Sequence, residues 1–199
     1  MGSTLTVDNI KDSGDNTLVS STGSGHTIAS GAFPAGIMIQ VVQNNFADNT
    51  SYPGSTNTFI EVTEASTAIT LNGTNSKILM TYNIAFGSAG DNMPSWQIYE
   101  GSTQLPVGNS ITSYNRKGVG ASGNLHYSTG QYNVYGFNYQ YLHTTSSSSG
   151  TTLTFKLYLS SRGSDAKEIR LNGPQLWTGW GDANLHTTRS SVTLMEIAG

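Results

Sequence analysis

The chain has 199 residues, a formal net charge of -3 and no cysteine, so disulfides, thiolate metal sites and a cysteine nucleophile are excluded. Only 11% of the residues are charged, and the absence of a basic cluster argues against an electrostatic nucleic-acid interface. No apolar run approaches the roughly 18 residues of a membrane-spanning helix, and the first residues lack the pattern of a secretory signal, so we expect no membrane insertion.

Residues 1–32 predict an N-terminal arm. Leu5, Val7 and Ile10 alternate imperfectly with polar residues, and residues 11–16 are dense in turn-forming side chains. Short strands with so little apolar mass need partners to bury them. We therefore predict an arm or shaft segment that attaches to other proteins of an assembly, with a free linker as the alternative.

Residues 33–199 predict a head domain of short strands. The longest clean alternation, at residues 77–86, predicts a long half-buried strand near the middle of a sheet. Its large apolar face consists of Ile78, Met80, Tyr82, Ile84 and Phe86. Residues 37–43 are apolar on both faces, which predicts a strand that is central or covered twice. Residues 44–57 predict a polar loop.

The remaining strands are shorter. We predict strands at residues 59–62 and 68–71, the second ending at the turn dipeptide Asn72-Gly73, and at residues 96–100, followed by a turn at Gly101 and a return through residue 107. Further strands are expected at residues 111–117, 132–143, 151–160, 169–171 and 191–197. The strands at 132–143 and 151–160 are separated by one short loop and predict a hairpin.

No window has helical periodicity with caps. Short strands at close spacing, with turns of Gly, Asn and Ser, predict an all-β, antiparallel sandwich or jelly roll. Several strands carry more apolar surface than one sandwich can cover, which predicts association between copies. The candidates for this interface are Tyr135, Phe137, Tyr139, Tyr141, Val192 and Leu194. The alternative is that the aromatic face of residues 135–141 is part of the core.

No catalytic, metal or cofactor motif survives inspection. Residues 118–123 match the dinucleotide fingerprint by letters, but no helix follows to receive a pyrophosphate. The four histidines lack ligand spacing, and the acids of the head show no paired arrangement for glycoside hydrolysis. Asp12 and Asp15 have the chemistry of a calcium loop without its spacing, and turn formation is the simpler account. We expect a protein that is not an enzyme.

Binding is the more natural role for the aromatic loops. Two Gly-rich segments place aromatic rings beside polar side chains, as carbohydrate or receptor contacts do. The candidates for ligand contact are Tyr127, Tyr132, Trp177, Trp180 and Asp182. The alternative is that the tryptophans are buried in a sandwich.

Three segments carry a resemblance to a known family. They are residues 5–19 (LTVDNIKDSGDNTLV), 76–80 (SKILM) and 190–198 (SSVTLMEIA). These segments resemble the N-terminal fibre segment, a head strand and the closing strand of small structural proteins of tailed bacteriophages, particularly marine and cyanobacterial phages. The heads of that family look like the jelly rolls of tumour necrosis factor and the complement globular heads.

The resemblance implies a homotrimeric virion protein on the outer surface of a tail or capsid. As a tail fibre or tip, it would attach through residues 1–32 and present loops to a host-surface glycan or protein. As a capsid decoration protein, it would stabilise the shell. A non-viral secreted recognition module is a third possibility, disfavoured by the missing signal.

Overall fold

The computed structural model describes residues 8–21, 26–28, 35–53, 58–88, 93–106, 120–121, 134–162, 168–174 and 187–199. Within these ranges the chain is all-β, with 14 strands and no helix, and every strand pairing is antiparallel. In chain order the strands are β1 (Asn9–Lys11), β2 (Thr17–Ser21), β3 (His26–Ile28), β4 (Met38–Phe46), β5 (Ser51–Tyr52), β6 (Ile60–Thr70), β7 (Lys77–Ser88), β8 (Met93–Glu100), β9 (Thr103–Gln104), β10 (Gly120–Ala121), β11 (Tyr135–Thr144), β12 (Thr152–Arg162), β13 (Ile169–Leu171) and β14 (Ser190–Ile197).

The N-terminal strands β1, β2 and β3 form a small sheet of their own, in that order. The turn between β1 and β2 is formed by the turn-forming side chains noted at residues 11–16 of the sequence. The Asp12 carboxylate accepts hydrogen bonds from the backbone N–H of Gly14 (2.8 Å) and Asn16 (2.9 Å), and Asp15 has a positive φ of 66°. Asp12 therefore forms an Asx turn.

The head consists of two larger sheets. The first, called the β7 sheet below, has the order β4-β14-β7-β13-β5, with β11 pairing β7 as well. The second, called the β12 sheet, has the order β10-β8-β12-β6, with β9 pairing β8. Tyr82 of β7 lies between Val192 of β14 and Tyr139 of β11, so the predicted central position of β7 is confirmed.

The inner faces of the two sheets pack around one core. In β7 the predicted apolar face is buried from Ile78 to Phe86, and in β12 the alternate residues Leu153 to Leu159 are buried as well. Trp96 of β8 stacks on Phe137 of β11 with ring centroids 4.8 Å apart, which joins the two layers by aromatic contact.

The predicted hairpin of residues 132–143 and 151–160 is wrong. The corresponding strands, β11 and β12, lie in different sheets, and residues 145–151 cross from one layer to the other. Both strands have an apolar face, and each face meets the core from its own layer. Backbone hydrogen bonds from Thr145 N to Ser76 O and from Leu71 N to Thr151 O fix the crossing.

Three further predictions need correction. The strand at residues 37–43 is neither central nor covered twice, because β4 is the edge strand beside β14 and Met38 and Val41 are 56% and 49% exposed. The strands at 59–62 and 68–71 are one strand, β6, whose residues 63–66 bulge out of the pairing with β12. The loop at 44–57 is shorter than predicted, since β4 runs to Phe46 and Ser51–Tyr52 forms β5.

Candidate functional site

The outer face of the β7 sheet carries an exposed apolar row. The strand register aligns Val41 of β4, Met195 of β14, Leu79 of β7 and Leu142 of β11 directly across four strands. Val41 and Leu142 are each 49% exposed, and the two middle side chains are half-buried. Cross-strand neighbours in such a row are close enough to form one continuous hydrophobic strip. These four residues are called the apolar row.

The part of this face formed by β4, β14, β7 and β11 is nearly free of charge, whereas Arg170 of β13 lies on the same face beside Gly87. Parallel to the apolar row lie three further rows of four residues: Met38, Ile197, Lys77 and Thr144; Gln43, Thr193, Thr81 and Gln140; and Asn45, Ser191, Asn83 and Asn138. Lys77 is the single ionisable side chain among these sixteen positions. A surface with an apolar strip and neutral polar neighbours can lose its water without burying ions, as interface cores do.

The predicted interface residues lie on the opposite, inner face of the same strands. Val192 and Leu194 are fully buried and Phe137 is 4% exposed, so these three side chains are part of the core. Tyr135, Tyr139 and Tyr141 are half-buried and pack against it. These side chains face inward because β11 pairs in register with the core residues of β7. This arrangement corresponds to the alternative in which the aromatic face belongs to the core.

Glu196 forms a buried joint between β14 and the β6–β7 turn. Its carboxylate is fully enclosed and accepts hydrogen bonds from Gly73 N (2.8 Å), Ser76 Oγ (2.6 Å) and Gln40 Nε2 (2.6 Å), together with Asn72 N (3.0 Å). Burial acts to raise the pKa of Glu196, but the four donors outweigh it and the pKa is lowered from its ordinary value.

The turn above this carboxylate requires glycine. A Cβ on Gly73 would lie 2.6 Å from Ser76 Oγ and 3.4 Å from Glu196 Oε1. The Asn72-Gly73 pair was predictable as a turn, whereas its role as the lid of a buried carboxylate was not, because Glu196 is distant in sequence.

The outer face of the β12 sheet has a different chemistry. The register places Gln104, Tyr99 and Lys156 in one row. In the next row lie Gln97, Tyr158 and Glu61. The rings of Tyr99 and Tyr158 are in contact, with centroids 4.6 Å apart. These six residues are called the tyrosine platform.

Hydrogen bonds connect the members of the tyrosine platform. Glu61 Oε2 accepts from Tyr158 Oη (2.9 Å) and from Lys156 Nζ (3.1 Å). Burial acts to raise the pKa of Glu61, but these two bonds and the charge of Lys156 lower it overall, whereas the bond to Glu61 raises the pKa of Tyr158. Glu61 is therefore ionised near neutral pH. Tyr99 Oη donates to Gln97 Oε1 (3.1 Å).

Other sequence candidates are placed as follows. The ligand-contact candidates Tyr127, Tyr132, Trp177, Trp180 and Asp182 lie outside the described residues, as does the predicted strand at 111–117. Of the fingerprint-like segment, Gly120–Ala121 is strand β10, paired with β8.

The described ranges contain no group of three or more potential metal-ligating side chains. No helix in those ranges is long and apolar enough to cross a membrane.

Comparisons with known proteins identify no family. No protein-family model matches the chain, and no curated protein matches it. Among solved structures, the chain is similar to one described as the structure of infectious bursal disease virus, Gt strain, with a TM-score of 0.36 and 14% identity over 80% of this chain. The structure of the Gx strain gives a TM-score of 0.34 and 12% identity over the same share. The chain covers 38% and 36% of those two chains, and likenesses this distant carry no argument about function.

Proposed function

We propose that the chain is a structural protein of a virion that assembles as a homotrimer, attached through residues 1–32 to other virion proteins. The observation that carries the proposal is the outer face of the β7 sheet. Its exposed apolar row, with one ionisable side chain among sixteen positions, is the surface that a soluble single subunit would be expected to avoid. Three copies of this neutral face can meet around a threefold axis because no like charges oppose the contact.

The strand order supports a jelly roll. Eight of the strands can be numbered one to eight in chain order: β4, β6, β7, β8, β10, β11, β12 and β14. With this numbering, the β7 sheet contains the order one-eight-three-six, and the β12 sheet contains the order two-seven-four-five. This is the order that results when a long antiparallel hairpin of eight strands is rolled into two sheets. It agrees with the jelly-roll head implied by the family resemblance.

The size of the face explains why an arm would be needed. Four strands at their usual spacing and four rows of alternate residues span roughly 500 Å², which is less than the approximately 800 Å² per partner of a standard interface. We propose that residues 1–32 supply the remaining contacts. The resemblance of residues 5–19 to fibre segments favours a tail fibre or tip that binds a host surface over a capsid decoration protein.

The oligomer tests the proposal directly. Wild-type chain of 21.1 kDa should elute as a species of three chain masses by size-exclusion chromatography with light scattering. Changing both exposed ends of the apolar row, Val41→Thr with Leu142→Thr, should yield monomers, because threonine keeps the strands but removes the apolar contact. The matched control, Asn45→Thr with Asn138→Thr in the most polar row, should remain trimeric. A monomeric wild type, or a trimeric Val41/Leu142 variant, would refute the interface.

The position of the chain on the virion tests the remaining part of the proposed function. A particle reconstruction, or antibody labelling of intact particles, should place the trimer on the virion with the arm toward the particle and the head outward. Absence of the chain from purified particles would refute the virion role.

A further inference from the structure

We infer that the tyrosine platform is a binding site for a neutral saccharide. The inference deepens the proposed function and rests on it for its biological meaning, since it names a ligand class for the outward-facing head. The inferred site lies on the outer face of the β12 sheet and includes none of the ligand-contact candidates named from the sequence.

The composition of the outer face of the β12 sheet points to a local site. On one side the tyrosine platform is bordered by the small outward residues Thr154, Ala68, Thr152 and Thr70, and on the other by Ser95, the buried Ser160 and the paired positions of Met93 and Arg162. The two phenol rings are partly exposed. The small side chains on the Thr154 side leave room beside the rings for a flat sugar ring, which stacks its C–H groups on an aromatic face.

The polar groups beside the rings have unused hydrogen-bonding capacity. Both bonds to Glu61 end on Oε2, and in the described part of the chain Oε1 receives none. Lys156 has three N–H donors, of which one is directed to Glu61. An ionised acceptor and a cationic donor side by side suit two neighbouring hydroxyls of a sugar, one of which donates while the other accepts.

The rings are held in place before any ligand arrives. Tyr158 is fixed through its hydroxyl to Glu61, and Tyr99 through its hydroxyl to Gln97. Gln97 is only 1% exposed, so it orients Tyr99 but does not contact a ligand itself. Rings that are already oriented lose little entropy on binding. The balance of one acid and one base gives the platform no net charge, which favours a neutral sugar over an anionic one.

The position of the platform in the proposed assembly leaves it accessible. The inner faces of the two sheets share one core, so their outer faces point in opposite directions. If the β7 sheet faces neighbouring copies, the tyrosine platform faces away from them on every copy. Three equal sites of low affinity can then bind a repetitive surface polysaccharide far more tightly than one site binds a single sugar.

The experiment uses the full-length chain and a panel of methyl glycosides of glucose, galactose, mannose and N-acetylglucosamine. Saturation-transfer NMR should detect transfer to at least one of them, with accompanying shifts of the Tyr99 and Tyr158 ring resonances. Tyr99→Thr with Tyr158→Thr should weaken that binding roughly tenfold or more, because each ring contributes stacking energy. Glu61→Gln, which leaves both rings in place, should weaken it several-fold. The control Thr154→Ala, on the same face outside the platform, should bind as wild type.

Absence of transfer to every glycoside in the wild type would overturn the inference, and so would equal transfer in wild type, the Tyr99/Tyr158 variant and Glu61→Gln. Light scattering on the same samples separates this result from the assembly. A trimer that binds no glycoside refutes the saccharide site alone, whereas a monomer that binds one refutes the proposed assembly alone, since each platform lies within one chain.

Discussion

The joint at Glu196 gives the sharpest prediction about stability. Glu196→Gln keeps the size of the side chain but replaces one carboxylate oxygen with an N–H₂ group. That group would face donors, because the carboxylate accepts from Asn72 N, Gly73 N, Ser76 Oγ and Gln40 Nε2. A hydrogen bond to a charged group is worth about 1.5–3 kcal/mol, and a buried donor left unpaired costs about 1–3 kcal/mol.

These terms are partly offset because a neutral amide is cheaper to bury than a carboxylate. We expect a net loss of about 3 kcal/mol in the free energy of unfolding. With a urea dependence of about 2 kcal/mol per molar, the midpoint should fall by roughly 1.5 M. Unfolding should be followed by tryptophan fluorescence at one fixed chain concentration, because association contributes to the apparent stability of an oligomer.

The matched control is Glu168→Gln. This control makes the same substitution at a carboxylate that is 42% exposed, accepts one hydrogen bond from Ser51 Oγ, and lies 3.9 Å from Arg170 Nε. A partly exposed pair of this kind contributes about 1 kcal/mol or less. If Glu196→Gln shifts the midpoint no more than Glu168→Gln does, the assignment of Glu196 as the joint between β14 and the β6–β7 turn is refuted.

Two further predictions concern acid and the core. Because the folded-state pKa of Glu196 is lowered, its contribution is complete above the ordinary glutamate pKa of about 4.3 and is lost as pH falls through the lower folded value. The stability gap between wild type and Glu196→Gln should therefore be constant at neutral pH and close in acid, and a gap that widens in acid would contradict this sign. Tyr82→Phe should leave the protein as stable or up to about 1 kcal/mol more stable in thermal unfolding, because Tyr82 Oη is buried without a hydrogen-bond partner in the described residues. Burial likewise raises the pKa of Tyr82, and a strongly destabilised Phe variant would reveal a hydrogen bond on which the fold depends.

The sequence predicts the strands far better than their arrangement. β7 and β12 were predictable because each alternates large apolar and smaller side chains over ten residues, and alternation is a local property. The place of β4 at a sheet edge depends on which strand pairs with it, and nothing in its apolar sequence distinguishes an edge from a centre. The crossing between β11 and β12 has the same origin. A short loop can join two neighbouring strands of one sheet as a hairpin, or two strands that lie in different layers of a sandwich. Which of these two arrangements forms depends on strands that are distant in the sequence.

The proposed interface is hard to recognise in the sequence because of the size of the residues on the opposite face. Tyr139 and Tyr141 are the largest apolar side chains of β11 and draw attention to their face, yet large side chains are what a core needs most. The more informative signal was Leu142, an aliphatic residue among Gly136, Asn138 and Gln140 on the other face of the same strand. Leu79 and Val41 are similar exceptions in their own strands. A single aliphatic residue among polar ones does not by itself predict an interface. Only the strand register shows that Leu142, Leu79 and Val41 lie in one row.

Two of the three segments that carry the family resemblance meet at the Glu196 joint. Ser76 begins the segment at residues 76–80 and Glu196 lies in the segment at 190–198, and their side chains are hydrogen-bonded at 2.6 Å within the protein. The resemblance in these segments therefore concerns closure of the fold. Neither of these two segments contributes a side chain to the tyrosine platform, which is built from β6, β8, β9 and β12. Chains that share this joint are expected to share the head fold, whereas their ligands depend on the outer face of the β12 sheet. It follows that the joint variants should change stability without changing saccharide preference, and the platform variants should do the reverse.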